Sequence, residues 1–204
     1  MRVAIIGAGK VGEALRGALL RAGHEVAFGV RKPDPGRSEQ QTIRQAVANA
    51  DAVILAVPFG AVADVAAAGG GLAGKIVIDA TNPLGMVEGG LGLTIGHTTS
   101  GAEQVAALMP QAHVFKAFNQ TGLENMGDAR PYPGRPVMFV AGDQAEGKVK
   151  VLRLVEDTGF EAVDIGGLGA ARLLEPLAML WIELARKGGM GADFAFALVR
   201  KNAV

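Results

Sequence analysis

The chain has 204 residues, half of them hydrophobic, and its 20 basic side chains balance 20 acidic ones. This balance excludes the strongly basic surface of a nucleic-acid-binding protein, and the absence of cysteine excludes disulfides, thiolate metal sites and cysteine nucleophiles. No apolar run is long enough for a spanning helix or a signal peptide, so we expect a cytoplasmic protein with no membrane partner.

The first strand and the turn after it carry the clearest motif in the chain. Val3–Ile6 is a β-branched run, and Gly7–Gly12 follows it as G-x-G-x-x-G where helical spacing of apolar residues begins. A strand, this glycine pattern and a helix together form the dinucleotide fingerprint. We predict that Gly7 permits the tight turn, Gly9 lets the backbone approach a pyrophosphate and Gly12 lets the helix pack on the strand. The alternative is a glycine-rich turn without a ligand.

The second predicted strand, Glu25–Gly29, leads to the residues that choose between the two nicotinamide cofactors. An acidic residue here would bind the ribose hydroxyl of NAD, but the chain continues with Val30, Arg31 and Lys32. A guanidinium pairs well with a 2′-phosphate, and Lys32 adds a second positive charge. The sequence therefore predicts NADPH as the cofactor, with a solvated basic turn as the alternative.

The next elements alternate between helix and strand. We predict a helix over 38–49, a strand over 52–57, a helix over 61–68 and a strand over 75–79. This alternation predicts an α/β fold with a doubly wound parallel sheet of the Rossmann type. Val57 and Pro58 end their strand at the edge where such sheets bind ligands, so they are candidate walls of the cofactor site.

Two amides follow strands at the same predicted edge. Asn82 follows the fourth strand, and Asn119 follows a fifth strand predicted over 113–118. Each could be an ordinary turn residue, but as a pair they indicate a site. No element is predicted in the glycine-rich stretch 85–96.

The remainder of the chain is predicted to complete the sheet and add a helix. The patterns predict a helix over 101–109, a strand over 137–141, a helix over 144–158 and a strand over 161–164. A long helix over 170–187 follows, in which Pro176 either introduces a kink or marks the start. Residues 193–199 are predicted to form an edge strand, and Trp181 is expected to pack in the protein interior. We divide the chain into a dinucleotide-binding domain, 1–165, and a small C-terminal helical extension, 166–204, that forms one wall of the cleft.

Several stretches resemble the NADPH-dependent oxidoreductases typified by the enzyme that passes hydride between NADP and the deazaflavin coenzyme F420. The resemblance covers nearly the whole chain. It implies a cleft where nicotinamide and acceptor meet, and a homodimer. It also implies that Ala8, Gly9, Lys10 and Val11 hold the pyrophosphate, that Val30 and Arg31 hold the 2′-phosphate, and that Val57 and Pro58, following Ala56, flank the adenosine. The stretches are Gly7–Gly12, Val30–Arg31, Ala56–Pro58, Asp79–Pro83, Lys116–Asn119 and Leu174–Leu177.

The chain also departs from the archaeal deazaflavin enzymes. Where those enzymes carry a histidine after the fifth strand, this chain has Asn119, and Thr81–Pro83 resembles a broader bacterial branch and related ferric-reductase domains. Hydride donation from NADPH is therefore the part that carries over, with a deazaflavin or a flavin as the acceptor.

Residue chemistry favours a reductase that acts on a planar acceptor. Such a transfer needs aligned rings rather than a catalytic acid, so Asn82 and Asn119 are the predicted catalytic residues, with a positioning role. One alternative is an NADP-dependent dehydrogenase of a small carbonyl substrate, which needs a proton donor such as His97. Lys116 either approaches the site or reaches solvent. The other alternative is a non-enzymatic NADPH sensor. The predicted partners are small-molecule cofactors and a second copy of the chain, without nucleic acid or metal.

Overall fold

The computed structural model describes residues 1–70 and 72–201, which form a mostly parallel sheet flanked by helices. Gly71 and residues 202–204, which the predicted C-terminal extension includes, lie outside the described residues. The strands are β1 Arg2–Ile6, β2 Glu25–Val30, β3 Gln40–Thr42, β4 Ala52–Leu55, β5 Ile76–Asp79, β6 Leu84–Val87, β7 Gly90–Leu93, β8 His113–Lys116, β9 Val137–Gly142 and β10 Glu161–Asp164. The helices are α1 Lys10–Arg21, α2 Ile43–Asn49, α3 Val62–Gly69, α4 Gly101–Leu108, α5 Leu123–Gly127, α6 Ala145–Asp157 and α7 Ala171–Arg186.

The main sheet has the strand order β10-β9-β8-β5-β4-β1-β2-β3. Neighbouring strands are parallel except at β8 and β9, which pair antiparallel with Phe115 opposite Gly142. The strand order reverses direction at β1, which confirms the doubly wound Rossmann-type fold. The carboxyl ends of β1, β2, β4, β5 and β8 therefore lie along one edge, where such folds bind dinucleotides.

The central strands β1, β4 and β5 are mostly apolar on both sides because each face of the sheet is covered by helices. On one face, Val3 and Ile5 of β1 pack with Leu15 and Leu19 of α1, and this cluster extends to α6. On the other face, Ala4 and Ile6 belong to a cluster that includes α2, α3 and α4. The two clusters therefore cover both faces of the central strands.

The helix predicted over 38–49 is wrong in its first half. Residues 40–42 form β3, which pairs with β2 and places Gln40 opposite Phe28. Thr42 then caps α2, since its hydroxyl accepts a hydrogen bond from the backbone N–H of Gln45 while the Gln45 side chain bonds back to the Thr42 N–H. This capping box starts the helix at Ile43 rather than at residue 38.

The glycine-rich stretch 85–96, where no element was predicted, contains most of a β-hairpin. Strands β6 and β7 pair antiparallel, with Leu84 opposite Leu93 and Val87 opposite Gly90. Gly89 and Gly90 have φ of 88° and 125°, which lets the chain reverse between the strands. The hairpin was missed because glycine at alternate positions hides the apolar alternation that predicts strands.

The C-terminal region differs from its prediction in two ways. Helix α7 begins at Ala171 and continues through Pro176, so Pro176 lies inside the helix and does not mark its start. Residues 193–199 form no strand; the backbone N–H of Val137 donates to the carbonyl of Phe196, but a ladder does not develop. Among the described residues, none of the helices has the length and apolar character needed to cross a membrane.

Candidate NADP(H) site and reaction edge

The glycine turn joins β1 to α1 and leaves open space at its centre. Gly7 has a φ of 110°, and a Cβ there would lie 2.5 Å from the carbonyl oxygen of Ala56. A Cβ on Gly12 would collide with the carbonyl oxygen of Gly7, whereas a Cβ on Gly9 would meet no atom within 4 Å. Gly7 and Gly12 are therefore required by the fold, while the space over Gly9 is free for a ligand.

Helix α1 starts without a capping side chain. Gly9 is its N-cap residue, and the first hydrogen bond of the helix runs from the backbone N–H of Glu13 to the Gly9 carbonyl at 2.9 Å. The backbone N–H groups of residues 10–12 consequently lack partners within the helix. Ala8 and Val11 are half-buried here and Lys10 is exposed. Free N–H groups at a helix start bind phosphate, so the turn fits a pyrophosphate.

An open groove of about 990 Å³ lies beside this turn. It brings together the end of β2, the residues after β4 and one side of α3. Neither Arg31 nor Lys32, both exposed, forms an ion pair or a side-chain hydrogen bond with any residue in the described ranges. The predicted site residues that line the groove are Gly7, Val30, Arg31, Lys32, Val57 and Pro58. The others, Ala8, Gly9, Lys10, Val11, Gly12 and Ala56, lie at the adjoining glycine turn rather than in the groove lining.

Asn82 and Asn119 contact each other directly. The Asn119 Nδ2 donates to Asn82 Oδ1 at 3.0 Å, and the Asn82 Nδ2 donates to the Asn119 carbonyl at 2.9 Å. Asn119 is buried and its amide is fully occupied, because Nδ2 also donates to the Leu174 carbonyl and Oδ1 accepts from Gln120. Asn82 is half-buried and keeps one N–H without a partner among the described residues. The two amides thus differ: Asn82 has capacity to contact a ligand, and Asn119 holds it in place.

A buried cluster of three charges is connected to this amide pair through Thr81, which precedes Asn82. The Lys116 Nζ lies 2.8 Å from Asp79 Oδ2 and 2.9 Å from Glu175 Oε1, and it donates to the Thr81 carbonyl at 2.6 Å. All three charged side chains are at most 1% exposed. Lys116 therefore does not reach solvent, contrary to one of its two predicted alternatives. Its ammonium is held by two carboxylates, one at the end of β5 and one on α7.

Glu175 also connects α7 to the start of α4. Its two carboxylate oxygens accept hydrogen bonds from the backbone N–H groups of Gly101 and Ala102, at 2.8 Å and 3.0 Å. A carboxylate at a helix start is favoured by the helix dipole as well as by these bonds. Sequence reasoning missed this role, because Glu175 is polar on a helix whose other buried residues are mainly apolar. Its only signal was its place in the stretch Leu174–Leu177.

A second ion pair joins the same two helices nearer the surface. Arg172 of α7 donates to Glu103 of α4 through Nε at 2.9 Å and Nη2 at 2.6 Å. The hydrogen bonds from Arg172 lower the pKa of the Glu103 carboxyl below its usual range, and a bond from Ser100 adds to this effect. The contact between α4 and α7 therefore combines a buried carboxylate with an outer pair.

The backbone turns sharply where β8 leads into Asn119. Phe118 is fully buried and has a φ of 61°, a conformation uncommon for a residue other than glycine. The Gln120 side chain, rather than a neighbouring strand, pairs here with the backbone of Phe139 in β9. Its amide donates to the Phe139 carbonyl and accepts from the Phe139 N–H. These contacts aim the Asn119 side chain back toward Asn82, and sequence patterns did not reveal them.

His97, the candidate proton donor of the dehydrogenase alternative, lines a different groove. This groove, of about 700 Å³, lies between the loop after β7 and the start of α7, where Leu173 and Pro176 contribute to its wall. The groove that contains Arg31 and Lys32 has no histidine among its lining residues. The structure therefore places His97 away from the predicted cofactor residues.

Trp181 packs in the protein interior, as predicted. Its ring stacks on Phe194 with centroids 5.2 Å apart, and its Nε1 donates to the Phe194 carbonyl. The same carbonyl accepts from Asn125, whose own side-chain oxygen accepts from Tyr132, and burial raises the pKa of the Tyr132 hydroxyl. The C-terminal segment is thereby attached to α5 and to the loop that follows it. Within the described ranges, no cluster of three or more potential metal-ligating side chains occurs.

Comparison with known proteins identifies the family. A family model described as NADP oxidoreductase coenzyme F420-dependent matches residues 2–83. The crystal structure of a candidate F420-dependent NADP reductase from Arthrobacter sp. FB24 has 31% sequence identity and a TM-score of 0.89, covering 98% of this chain and 100% of that one. The F420-dependent NADP reductase of Methanothermobacter marburgensis is 28% identical over 207 residues, which cover 90% of this chain and 92% of that protein.

A metalloreductase contains a similar segment. Rat metalloreductase STEAP3 is 30% identical over 187 residues, which cover 88% of this chain. The chain spans only 37% of the length of that protein. The chain belongs to the family of coenzyme F420-dependent NADP oxidoreductases, and it has a Rossmann-type fold.

Proposed function

We propose that the protein transfers hydride between NADP(H) and a planar acceptor, such as the deazaflavin F420 or a flavin, at the edge where Asn82 meets Asn119. The observation that carries the proposal is the alignment of three features along one sheet edge. These are the open glycine turn, the groove with unpartnered Arg31 and Lys32, and the amide pair. When bound, NADPH supplies the hydride from its nicotinamide ring.

Each feature has a distinct binding task in this proposal. The N–H groups at the start of α1 bind the pyrophosphate, and the space over Gly9 lets it approach the backbone. Arg31 and Lys32 bind the 2′-phosphate, while Val57 and Pro58 flank the adenosine. The remaining N–H of Asn82 orients the nicotinamide or the acceptor, and Asn119 positions Asn82. No proton needs to move through either amide.

We further propose that residues 166–204 form one wall of the cleft and that residues 1–165 bind the dinucleotide. The supporting contacts are the hydrogen bond from Asn119 to the Leu174 carbonyl and the Glu175 bonds to α4. They join the two parts at the amide pair. The homodimer and the cytoplasmic location stay predictions.

Replacing Arg31 by alanine is expected to weaken NADPH binding about ten- to a hundredfold and to leave NADH binding almost unchanged. Loss of a charge-assisted hydrogen bond costs roughly 1.5–3 kcal/mol, and only NADPH carries the phosphate that makes the bond. Dissociation constants from cofactor fluorescence titrations measure the effect. Arg186→Ala removes an exposed arginine at the end of α7 and serves as the matched control. Equal weakening of NADPH and NADH would assign Arg31 to folding rather than to the phosphate.

Label transfer tests the reaction itself. With NADPH deuterated at the transferred position, the deuterium is expected on the acceptor carbon of reduced F420, because that carbon does not exchange its hydrogen with water as a flavin nitrogen does. Asn82→Ala should slow turnover through misalignment, retain the label transfer and leave the pH profile without a new ionisation. Unlabelled NADPH in deuterated water is the control and should give no label. Deuterium lost wholly to solvent, or no turnover with F420, a flavin or ferric iron, would overturn the proposal.

A further inference from the structure

The groove that contains Arg31 and Lys32 also contains one carboxylate, Asp64. Asp64 is the third residue of α3, is exposed, and lines the groove together with Ala61, Val65 and Ala68 of the same segment. It is the only acidic residue of that lining. Within the described ranges its carboxylate forms no ion pair and no side-chain hydrogen bond, although two cations line the same groove.

An unpartnered carboxylate is costly beside a bound dinucleotide phosphate unless the ligand offers it a hydrogen-bond donor. NADP(H) carries several negative charges, and each repels Asp64. At the adenosine end, the exocyclic amino group of adenine is a donor on the edge of an otherwise flat ring. A carboxylate is the acceptor that discriminates such an amino group from a carbonyl.

The remaining lining of the groove fits the flat part of the base. Ile43, Val57, Pro58, Ala61, Val65 and Ala68 supply apolar surface. The polar side chains are divided between two elements, with the cations at the end of β2 and the carboxylate on α3. The end of β2 is the usual position of the ribose, so the base lies farther along the groove, toward α3.

We propose that Asp64 accepts a hydrogen bond from the 6-amino group of adenine and thereby selects a 6-aminopurine dinucleotide over a 6-oxopurine one. The proposal rests on the assignment of this groove to NADP(H). In this proposal the two sides of the groove bind different parts of the cofactor. Arg31 and Lys32 bind the 2′-phosphate, and α3 binds the adenine base. A 6-oxo group at the same position would face the carboxylate oxygen-to-oxygen and be rejected.

The test compares NADPH with the reduced nicotinamide hypoxanthine dinucleotide phosphate, which has an oxo group in place of the 6-amino group and a hydrogen on the neighbouring N1. Calorimetric titration without any acceptor is expected to show about tenfold tighter binding of NADPH by the wild-type protein. In Asp64→Ala the two dissociation constants should become equal, mainly through weaker NADPH binding. Asp64→Asn, whose amide both accepts and donates, should bind both nucleotides with similar affinity.

Glu146→Ala is the matched control, because Glu146 lies in the first turn of α6 and its loss removes a comparable helix-dipole interaction. It should leave both affinities and their ratio unchanged. Equal wild-type affinities for the two nucleotides would overturn the role of Asp64, and so would an Asp64→Ala change of the same size and sign for both. If the wild-type protein binds neither nucleotide, the assignment of the groove to NADP(H) fails instead.

Discussion

Replacing Gly9 by valine is expected to abolish measurable binding of NADPH and NADH while leaving the protein folded. The valine Cβ would enter the open space over the start of α1 with no protein atom within 4 Å, and the backbone there is extended. It would occupy the place where a pyrophosphate reaches the free N–H groups. Titration should show at least a hundredfold loss of affinity, and circular dichroism should show a near-native spectrum. We expect the free energy of unfolding to fall by only about 1 kcal/mol, because valine is a poorer N-cap residue than glycine.

Gly12→Val provides the contrasting variant. Its Cβ would collide with the Gly7 carbonyl, so the strand and the helix would have to separate. We expect this protein to lose its cooperative thermal transition, whereas Gly9→Val keeps one. Tight cofactor binding by Gly9→Val would remove the glycine turn from the proposed site.

Replacing Lys116 by methionine is expected to lower the free energy of unfolding by about 3–5 kcal/mol. Methionine keeps similar volume but leaves the buried carboxylates of Asp79 and Glu175 without their cation, and an uncompensated buried charge carries a cost of this size. Urea unfolding, followed by far-ultraviolet circular dichroism, measures the change. The Thr81 carbonyl loses its donor as well, so the loop that leads to Asn82 should also become less ordered.

Lys187→Met is the matched control for this experiment. The Lys187 Nζ lies 3.0 Å from Glu183 Oε1 in an exposed ion pair at the end of α7. Such pairs contribute at most about 1 kcal/mol to the free energy of unfolding. If the two lysine variants had the same stability, the buried cluster would not be a major contributor to the fold. A triple variant with apolar residues at Lys116, Asp79 and Glu175 should recover part of the loss, because it leaves no buried charge.

The first strand, the glycine turn and the first helix could be predicted from the sequence because they depend on local patterns. The β-branched run Val3–Ile6, the three glycines after it and the helical spacing that follows lie within a few residues of one another. Backbone preference and periodicity act over that range, so they placed strand, turn and helix correctly. Arg31 and Lys32 could be found in the same way, since the end of the second strand fixes their position at the edge.

Contacts between distant residues were decided only by the tertiary structure. Lys116 looked like a surface or site lysine until Asp79 and Glu175, 37 and 59 positions away in the sequence, enclosed it. The hydrogen bonds that separate the roles of Asn82 and Asn119 also join residues 37 positions apart. Strand β9 runs antiparallel because it forms its hydrogen bonds with β8 in that direction. Residues 40–42 are a strand because they form hydrogen bonds with β2. Hydrogen-bond partners and burial depend on which surfaces meet in the folded chain, and local sequence patterns carry no information about that.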